Sequence, residues 1–567
     1  MIETMTRPIR RRPTAEPAAD LSRIDPILGR LYAARGVNAA HELDYALRGL
    51  APVGTLHGTN EAVQLLMRHR HGRIVVIGDF DADGATSTAL VLRCLRDFGI
   101  ADVSYLVPNR FAFGYGLSPE IVRVAAASSP DLLLTVDNGV SSLAGVAEAR
   151  RLGIQTLITD HHLPGASLPA ADVVLNPNLA GSDFASPHLA GVGVAFYLMA
   201  ALGRALEASG VDGAARIPAR YLDLVALGTV ADVVRLDHNN RILVQQGLER
   251  IKAGRAIAGI NALFQQAGKS VQRAVSSDLG FAVGPRLNAA GRLEDMSIGI
   301  ECLLTDDPQV AARYAATLDE INRERRSIEA RMRAEAYRRI DAIEPRDLPA
   351  CVALFDADWH QGIVGLIAGR VRDRCYRPAI AFARDGDGTL KGSARSVPGV
   401  HVRDLLEAVA TAKPGLIARF GGHAMAAGLN IEERNFGQFA DLAARQMARL
   451  YPDADLSGAI LTDGDLPANA MNLGFAKALR EAGPWGAGSP EPVFTGHFEI
   501  AAQRTVGDSH LKFTVRPSVG GEPLDAIAFN QAGRAYRGVV QLAYRLDVNE
   551  YRGIESPQLV VEQITPL

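Results

Sequence analysis

Asp79-Phe80-Asp81-Ala82-Asp83-Gly84 follows the apolar run Ile74-Val75-Val76-Ile77-Gly78, and this stretch decides the fold of the chain. The run is short, β-branched and ends in glycine, which predicts a buried strand. Carboxylates then occupy alternate positions, and the small residues after them predict a helix. Carboxylates at the carboxyl end of a parallel strand lie where open α/β sheets bind ligands, and such oxygen ligands favour Mg²⁺ or Mn²⁺ over zinc. Taken alone, the stretch is equally compatible with a solvated acidic turn.

Residues from about 73 to 160 alternate predicted strands and helices, as in a doubly wound parallel sheet. We predict strands at 73–78, 102–107, 131–137 and 154–159, and helices at 85–98, 118–127 and 142–152. The third strand ends in Asp137, and the fourth is followed by Asp160-His161-His162. Because the carboxyl ends of parallel strands meet at one edge, we expect these residues to lie beside the acidic stretch. Three strands of one sheet are each followed by residues of the types that bind metals. This pattern argues against the alternative that these stretches are merely solvent-exposed turns.

Two further carboxylates lie in the apolar segment 221–234. Asp223 and Asp232 are nine residues apart, about half a helical revolution, so one continuous helix cannot direct both to one site. Asp232 follows a predicted break at Gly228-Thr229 and lies among apolar residues, where a carboxylate is costly unless it is paired or metal-bound. We therefore predict that Asp232 is a metal ligand and that Asp223 is a structural partner.

The predicted ligands and neighbouring groups suffice for two cations, with Asp137 as the candidate bridge. They are Asp79, Asp81, Asp83, Asp137, His161, His162 and Asp232. Two hard cations about 3.5–4 Å apart can activate water for attack on a phosphate ester. Histidine among the oxygen ligands favours Mn²⁺ over Mg²⁺. The predicted chemistry is hydrolysis of a phosphoester or phosphoanhydride.

Composition limits the remaining possibilities. A chain of 567 residues is too long for one core, and a net charge of −3 restricts any nucleic-acid site to a local basic surface. Four cysteines without CxxC spacing predict neither a disulfide framework nor a zinc knuckle, and they fit a reducing cytoplasm. No apolar run approaches the roughly 20 residues that cross a bilayer, and the N-terminus lacks the apolar core of a signal peptide.

Candidate phosphate and nucleotide contacts lie on glycine-bearing loops and turns. We predict a loop at 108–117 that carries Arg110, and a turn at 284–292. A second α/β unit begins near 350, and its glycine-bearing turns lie at 391–396 and 420–428. Arg110 could meet a phosphate, and the turn at 284–292 presents Arg286, Asn288 and Arg292, which suits phosphate recognition.

A long helix and a small barrel complete the predicted architecture. Residues 308–344 lack interior glycine and proline and carry one apolar face, which predicts a single helix that links two lobes. Short strands predicted at 493–500, 509–517, 524–530, 538–549 and 557–564 suggest an OB-like barrel. Arg504, Lys512, Phe513 and Arg516 mix cations with an aromatic ring, as single-strand binders do. We divide the chain into a disordered tail at 1–20, an α/β domain at 21–305, a linking helix at 306–345, a second α/β domain at 346–452 and the barrel at 453–567.

Residues 79–84, 136–139, 160–162 and 228–232 together resemble the four motifs of the DHH phosphoesterase superfamily. The stretches KGSARS (391–396) and GGHAMAAG (421–428) resemble its DHH-associated, substrate-binding domain, and residues 284–292 and 359–365 resemble the RecJ family of bacterial exonucleases. The resemblance covers about residues 50–565. It implies 5′→3′ degradation of single-stranded DNA to mononucleotides with two Mn²⁺ or Mg²⁺ ions, in DNA recombination and repair. A helicase and a single-strand-binding protein are the partners it implies, and a cytoplasmic monomer without membrane contact is our expectation.

Residue roles also follow from the resemblance. Asp81, Asp83, Asp137, His161 and Asp232 would be metal ligands, and Asp79 would be a ligand or lie next to one. His162 would stabilise the phosphate charge, and Arg286, Ser393, Arg395 and His423 would hold the phosphate and terminal nucleotide. Ala112-Phe113 departs from the acidic pair expected there, which puts those terminal-nucleotide contacts in doubt. Ser489 replaces an expected asparagine in a late turn.

Other readings of the same motifs differ in substrate. A DHH hydrolase of short oligonucleotides, cyclic dinucleotides or polyphosphate would use the same metal centre, but it would need neither the long helix nor the barrel. A non-catalytic scaffold that grips single strands predicts lost ligands, and every expected ligand is present. A bare oligonucleotide-binding module leaves the acidic sheet edge unexplained.

Overall fold

The structure, a computed structural model, describes residues 7–14, 16–18, 20–108, 116–386, 388–507 and 509–567. It divides into two compact units, each with its own sheets. The larger unit contains residues 13–322 and 473–492. The smaller unit contains the N-terminal residues up to Arg12 together with 323–472 and 493–567.

A five-stranded parallel sheet organises the larger unit. In spatial order its strands are Val103–Leu106, Ile74–Ile77, Leu132–Val136, Gln155–Thr159 and Val173–Leu175. The four predicted strands are confirmed to within one residue at each end. The fifth was missed because three residues carry too little pattern to identify a strand. The strand order reverses between Ile74–Ile77 and Leu132–Val136, and such a switch point opens a crevice at the strands' carboxyl ends.

Helices cover both faces of this sheet, as the complete burial of its central strands requires. Ile74 and Val76 pack into one apolar cluster, while Val75 and Ile77 pack into another on the opposite face. The doubly wound prediction is therefore confirmed. The α-helices of the larger unit are Pro26–Ala33, Thr59–Arg68, Ala82–Asp97, Pro119–Ala126, Leu143–Arg151, Gly191–Ala208, Leu222–Ala231, His238–Lys252, Ala258–Gln266, Ser276–Asp278, Gly284–Leu293, Ser297–Leu304 and Leu473–Glu481.

The helix Gly191–Ala208 corrects one expectation. By length and composition it could cross a membrane, although the sequence was expected to contain no apolar run of that order. About two thirds of it is buried inside the protein, where it packs against the helices Ala82–Asp97 and Leu222–Ala231. A core helix has the same apolar composition because it is surrounded by protein.

The predicted linking helix is a single α-helix, Pro308–Asp341. Leu318, Ile321 and Met332 on its apolar face are buried. Two of its arginines pair with glutamates one helical turn away, Arg325 with Glu329 at 2.5 Å and Arg339 with Glu335 at 2.9 Å. Such i,i+4 pairs stabilise the helix itself.

The second α/β domain lies in the smaller unit around a mixed five-stranded sheet. Its strands, in spatial order, are Arg419–Gly422, Ala426–Glu432, Thr389–Arg395, Ala379–Arg384 and Val352–Phe355. Its α-helices are Val364–Cys375, Val402–Ala412 and Phe436–Leu450. Two stretches predicted as turns are mainly strand, because Lys391–Arg395 pairs in register with Ala426–Asn430. Glycine at 392 and 428 concealed the strand pattern.

The C-terminal strands close into a barrel, as predicted. Around the barrel they are Phe494–Val506, His510–Pro517, Leu524–Ala528, Ile554–Pro566 and Val539–Tyr551. All pairs are antiparallel except Leu524–Ala528 with Ile554–Pro566, which are parallel. A five-stranded barrel of this kind is the OB architecture.

The predicted N-terminal tail is partly ordered, which corrects the prediction that residues 1–20 are disordered. Ile9–Arg11 forms a strand that pairs in parallel with Ile460–Thr462. Ile9 also packs against the apolar cluster around Ile460 and Val493. Arginine and proline had masked this three-residue strand, whose stability depends on a partner that is distant in the sequence.

Candidate metal centre

Asp81 explains where the acidic stretch becomes a helix. Its carboxylate accepts hydrogen bonds from the backbone N–H groups of Asp83 and Gly84, both at 3.0 Å, and so caps the helix Ala82–Asp97. Capping by aspartate starts the helix three residues earlier than predicted. Gly84 is required because a Cβ there would lie 2.6 Å from the backbone oxygen of Asp79.

The carboxylate of Asp83 is buried and held by a second helix. Its two oxygens accept hydrogen bonds from the backbone N–H groups of Gly191 at 2.6 Å and Val192 at 2.9 Å, in the first turn of the helix Gly191–Ala208. The N-terminus of a helix favours negative charge. Sequence reasoning missed this support, and the only available signal was the run of small residues Ala190-Gly191-Val192-Gly193.

Asp137 lies at the carboxyl end of the strand Leu132–Val136, in a left-handed backbone conformation with φ of 61°. Such a conformation costs a non-glycine residue about 1–3 kcal/mol, and it is typically found where function fixes the backbone. Gly191 packs directly against this side chain, since a Cβ at Gly191 would lie 2.5 Å from the Cβ of Asp137. The position of Asp137 is therefore set by the strand end and by close approach of a neighbouring helix.

The Asp160-His161-His162 triplet follows the strand Gln155–Thr159. Asp160 is buried, and one of its oxygens accepts the backbone N–H groups of His161 and His162 together with Nδ1–H of the His162 ring at 2.7 Å. Its other oxygen accepts the backbone N–H of Val140 at 2.8 Å. Asp160 thus orients the triplet, a role the sequence analysis did not assign.

Asp232 ends the helix Leu222–Ala231, which continues through Gly228 without the predicted break. Gly228 instead allows close packing, since a Cβ there would lie 2.9 Å from Oδ1 of Asp83. Asp223, at the other end, is buried, accepts the backbone N–H of Ile257 at 2.8 Å and lies 3.6 Å from Arg250. Its contacts are those of a structural partner, and the two carboxylates diverge as the helical spacing requires.

Side chains from four segments converge on Nε2 of His161. Asp137 Oδ1 lies 3.2 Å from this nitrogen, Asp232 Oδ2 lies 3.5 Å from it and Asp83 Oδ2 lies 4.0 Å from it. Three overlapping triads have donor atoms within 4.8 Å of one another: Asp83 with His161 and Asp232, Asp137 with His161 and His162, and Asp79 with Asp81 and Asp137. All seven predicted residues belong to these triads, and Asp137 and His161 each belong to two.

Burial and mutual repulsion shape the electrostatics of this cluster. Burial, and then the charge of Asp81, raises the pKa of Asp83 to about 7. Burial and the charge of Asp83 raise the pKa values of Asp137 and Asp232 as well. Burial lowers the pKa of His162, but the hydrogen bond and charge of Asp160 outweigh it and raise that pKa to about 9. Carboxylate oxygens that repel one another around one imidazole nitrogen are a donor set that fits a divalent cation.

The helix Gly284–Leu293 replaces the predicted turn at 284–292. Arg286 is buried, with its guanidinium 2.8 Å from Asp319 and hydrogen-bonded to the backbone oxygen of Ala282. The side-chain oxygen of Asn288 accepts the backbone N–H of Ala82 at 2.8 Å and so supports the acidic loop. Proline at the second position is typical of a helix start, but the glycine and proline content of this stretch predicted a turn.

Arg110 and Ala112-Phe113, which belong to the predicted loop at 108–117, lie outside the described residues.

Two predicted contacts of the second α/β domain, Ser393 and Arg395, lie at the start of the helix Val364–Cys375. A Cβ at Gly365 would lie 3.0 Å from both Arg395 Nη2 and Ser393 Oγ, and no side chain caps this helix. Arg395 also donates to Ser393 Oγ at 3.1 Å. His423 is exposed in the turn between two strands of the same sheet. A guanidinium and a hydroxyl beside a helix N-terminus form a place suited to an anion.

The four predicted nucleic-acid contacts of the barrel differ in their exposure to solvent. Phe513 is 2% exposed and lies in the barrel core, so its ring is not available to stack on a base. Lys512 and Arg504 lie opposite each other on neighbouring strands, and Lys512 pairs with Asp525 at 2.7 Å. Arg504 and Arg516 are exposed. The prediction for Phe513 was wrong because successive strand residues point to opposite faces.

Comparisons with known proteins agree with this architecture. Family models match residues 73–229 (DHH family, N-terminal domain), 347–449 (DHHA1 domain) and 462–563 (RecJ OB domain). The single-stranded-DNA-specific exonuclease RecJ of Dickeya dadantii is 51% identical over 571 residues, which is 99% of each chain. The crystal structure of RecJ from Thermus thermophilus in complex with Mn²⁺ matches with a TM-score of 0.81 and 29% identity, over 99% of this chain and 80% of that chain. The Mg²⁺ complex of the same protein matches with a TM-score of 0.76 and 28% identity, over 99% and 79%.

A doubly wound domain with an acidic and histidine-bearing sheet edge, followed by a DHHA1 domain, defines a DHH phosphoesterase. Within this class, the order of the three matched domains and the sequence identity over the full chain identify one family. The chain belongs to the RecJ family of that superfamily.

Proposed function

We propose that this protein is a single-stranded-DNA-specific 5′→3′ exonuclease that releases mononucleotides by metal-dependent hydrolysis, in DNA recombination and repair. The convergence of Asp83, Asp137 and Asp232 on Nε2 of His161 carries the proposal. Full-length identity to RecJ of Dickeya dadantii supports the choice of substrate.

Two divalent cations, Mn²⁺ or Mg²⁺, supply an activated water and neutralise the charge that develops on the phosphate. Asp83, Asp137, His161 and Asp232 would hold them together with Asp79 and Asp81. Asp137 and His161 each belong to two donor triads, and of these Asp137 would serve both ions because a carboxylate offers two oxygens. The raised carboxylate pKa values support this assignment, since a bound cation compensates for the burial and the mutual repulsion that raise them. The backbone amides of Gly191 and Val192 fix the Asp83 carboxylate before any ion arrives.

His162 would stabilise the phosphate. Asp160 accepts the Nδ1 proton, which directs Nε2 away from Asp160. Burial lowers the pKa of the ring, but the hydrogen bond and charge of Asp160 outweigh it, which favours a protonated ring whose Nε2–H is a donor. A charged donor aimed at a phosphate oxygen strengthens as negative charge develops there.

Ser393, Arg395 and the N-terminus of the helix Val364–Cys375 would bind a phosphate of the DNA, with His423 as a further contact. Arg286 would also contact the phosphate or the terminal nucleotide, with its guanidinium held in place by Asp319 and the backbone oxygen of Ala282. Asn288 would position the acidic loop through the N–H of Ala82. The exposed Arg504 and Arg516 of the barrel would attract the DNA backbone without reading sequence.

Partners and location belong to the same proposal. A nuclease confined to single strands needs an activity that opens duplexes, so a helicase is the expected partner, with a single-strand-binding protein on the exposed strand. All four cysteines are buried, and none of them is in a disulfide within the described structure, which supports a reducing cytoplasm. We expect the protein to act as a monomer.

The first experiment is Mn²⁺-dependent digestion of one single-stranded DNA labelled at either end, with a blunt duplex as the control. We expect early release of mononucleotide from the 5′ label and an intact duplex. Release from the 3′ label would overturn the polarity while preserving the enzyme class. If neither DNA is digested, hydrolysis of dinucleotides or polyphosphate would replace the exonuclease assignment.

A further inference from the structure

Phe281 is the most solvent-exposed of the large apolar side chains in the described part of the chain. Its ring is 82% exposed, whereas Leu279, Ala282 and Val283 around it are buried. It lies in a single π-helical turn, Leu279–Val283, directly before the helix Gly284–Leu293. Such turns are rare and frequently occur at functional sites. A lone exposed phenylalanine is ordinary, so its setting decides whether it has a role.

Two glycines hold this turn against the end of the helix Leu222–Ala231. A Cβ at Gly280 would lie 3.2 Å from Cγ1 of Val230, and a Cβ at Gly284 would lie 3.2 Å from the Cβ of Ala231. The helical turn that they contact leads directly to Asp232. The backbone that carries Phe281 is therefore fixed relative to one of the proposed metal ligands.

The helix Gly284–Leu293, which follows this turn, also contacts the acidic loop. Asn288 accepts the backbone N–H of Ala82, and Gly291 packs so tightly on the backbone oxygen of Phe80 that no Cβ fits. The segment that carries Phe281 thus contacts both the turn before Asp232 and the loop at 79–83. The backbone that carries the exposed ring is therefore fixed to two of the segments that carry proposed metal ligands.

Val233 adds a second exposed apolar side chain at this place. It directly follows Asp232, is 70% exposed and has φ of 60°. A β-branched residue rarely adopts this left-handed conformation, so the surrounding structure imposes it. Phe281 and Val233, which we call the apolar platform, come from adjoining elements, because Gly280 and Gly284 pack against Val230 and Ala231 shortly before Val233.

We propose that the apolar platform stacks against a base of single-stranded DNA close to the phosphate undergoing hydrolysis. This inference rests on the proposed function. An unpaired base offers a free aromatic face of the size of a phenyl ring, and stacking of this kind tolerates every base. In the interior of a duplex both faces of a base are covered by its neighbours, so beyond the terminal base pair the platform can stack only on a single strand. Stacking on an unpaired base would help the enzyme to discriminate single-stranded DNA from duplex DNA.

The test compares Phe281→Ala, Phe281→Tyr and Phe281→Leu with the wild-type protein on a single-stranded oligonucleotide with Mn²⁺. We expect Phe281→Ala to raise KM about ten-fold with kcat changed less than about two-fold, because stacking contributes binding. Phe281→Tyr should behave like the wild type, and Phe281→Leu should fall between them. Val124→Ala removes a half-exposed apolar side chain from the helix Pro119–Ala126 and should leave KM unchanged.

Abasic substrates separate stacking from a structural role. A series of oligonucleotides with one abasic site, moved base by base from the 5′ end, should raise KM for the wild type at one position. At that position Phe281→Ala should lose nothing further, because the base that it would have contacted is absent. A KM for Phe281→Ala equal to that of the wild type, or a loss that is the same at every abasic position, would overturn the inference alone. A wild type that digests no single strand would overturn the proposed function and this inference with it.

Discussion

The acidic sheet edge and the barrel surface both carry charge, but they differ in how the fold holds that charge. At the sheet edge, Asp83 and Asp137 are buried, and backbone amides or a packed glycine fix each carboxylate. On the barrel, Arg504 and Arg516 are exposed, and Lys512 has an acidic neighbour. Buried charges without a compensating ion are costly, whereas exposed ones are cheap and are screened by salt. The sheet edge is therefore built for a fixed ligand, and the barrel surface suits a mobile polyanion.

Removing the shared carboxylate should have the largest effect. Asp137→Asn keeps the shape and tolerates the left-handed backbone, but it removes the charge that would serve both cations. We expect hydrolysis to fall at least about 10³-fold while binding to single-stranded DNA stays within a few-fold. Asp223→Asn is the matched control, because it alters another buried carboxylate and should lower stability without lowering kcat. Retained turnover in Asp137→Asn would contradict the two-ion assignment.

A smaller loss should follow from crowding the same carboxylate. A Cβ at Gly191 would lie 2.5 Å from the Cβ of Asp137, so Gly191→Ala must displace one of the two segments. We expect kcat to fall about 10- to 100-fold, as for other small misplacements of catalytic groups, together with weaker Mn²⁺ binding by titration. Gly193→Ala in the same helix meets only the side chain of Leu189 at 3.0 Å and should be nearly neutral. Equal activity of the two variants would show that the position of Asp137 is not critical.

The buried carboxylates also predict how metal and pH act together on stability. The pKa of Asp83 is raised from 3.8 to about 7 by burial and by Asp81, so the folded state holds its proton more tightly than the unfolded chain. This contribution to stability is complete below pH 3.8 and is lost as pH rises through 7. A bound cation replaces the proton, so the gain in Tm on adding Mn²⁺ should be larger at about pH 8 than at about pH 5.5. Asp83→Asn should flatten the metal-free profile, and a gain in Tm that is independent of pH would contradict this account.

The smallest effect is expected on the barrel. Arg504→Ala should weaken binding to single-stranded DNA only a few-fold, because it removes one exposed phosphate contact. The slope of the logarithm of the binding constant against the logarithm of salt concentration should fall by about one. Phe513→Ala should act differently, lowering the free energy of unfolding by about 3–5 kcal/mol, since the ring fills the barrel core. Salt-titrated binding and denaturant unfolding measure the two effects. A loss of DNA binding in Phe513→Ala at unchanged stability would restore its ring as a direct contact.

Side-chain periodicity explains why these two regions were not equally predictable. A ligand at the carboxyl end of a parallel strand has its direction set by the sheet, so Asp83, Asp137 and His161 could be placed together from sequence. In the barrel, Lys512 and Phe513 are neighbours in sequence and were assigned to one surface. Alternation sends them to opposite faces, and the buried Leu511 and Val515 were the signal that would have separated them.

The sequence by itself determined the doubly wound sheet, the linking helix, the OB-like barrel and the donor residues of the metal centre, because periodicity and strand-end motifs are local. Tertiary structure alone decided which groups hold those donors. Gly191 and Val192 lie more than 100 residues from the Asp83 carboxylate that they bind, and Asp319 pairs with Arg286 from a separate helix. The strand Ile9–Arg11 likewise exists only because Ile460–Thr462 pairs with it. Such contacts depend on packing between segments that are distant in the sequence, and a local sequence pattern does not specify which distant segment will pack against it.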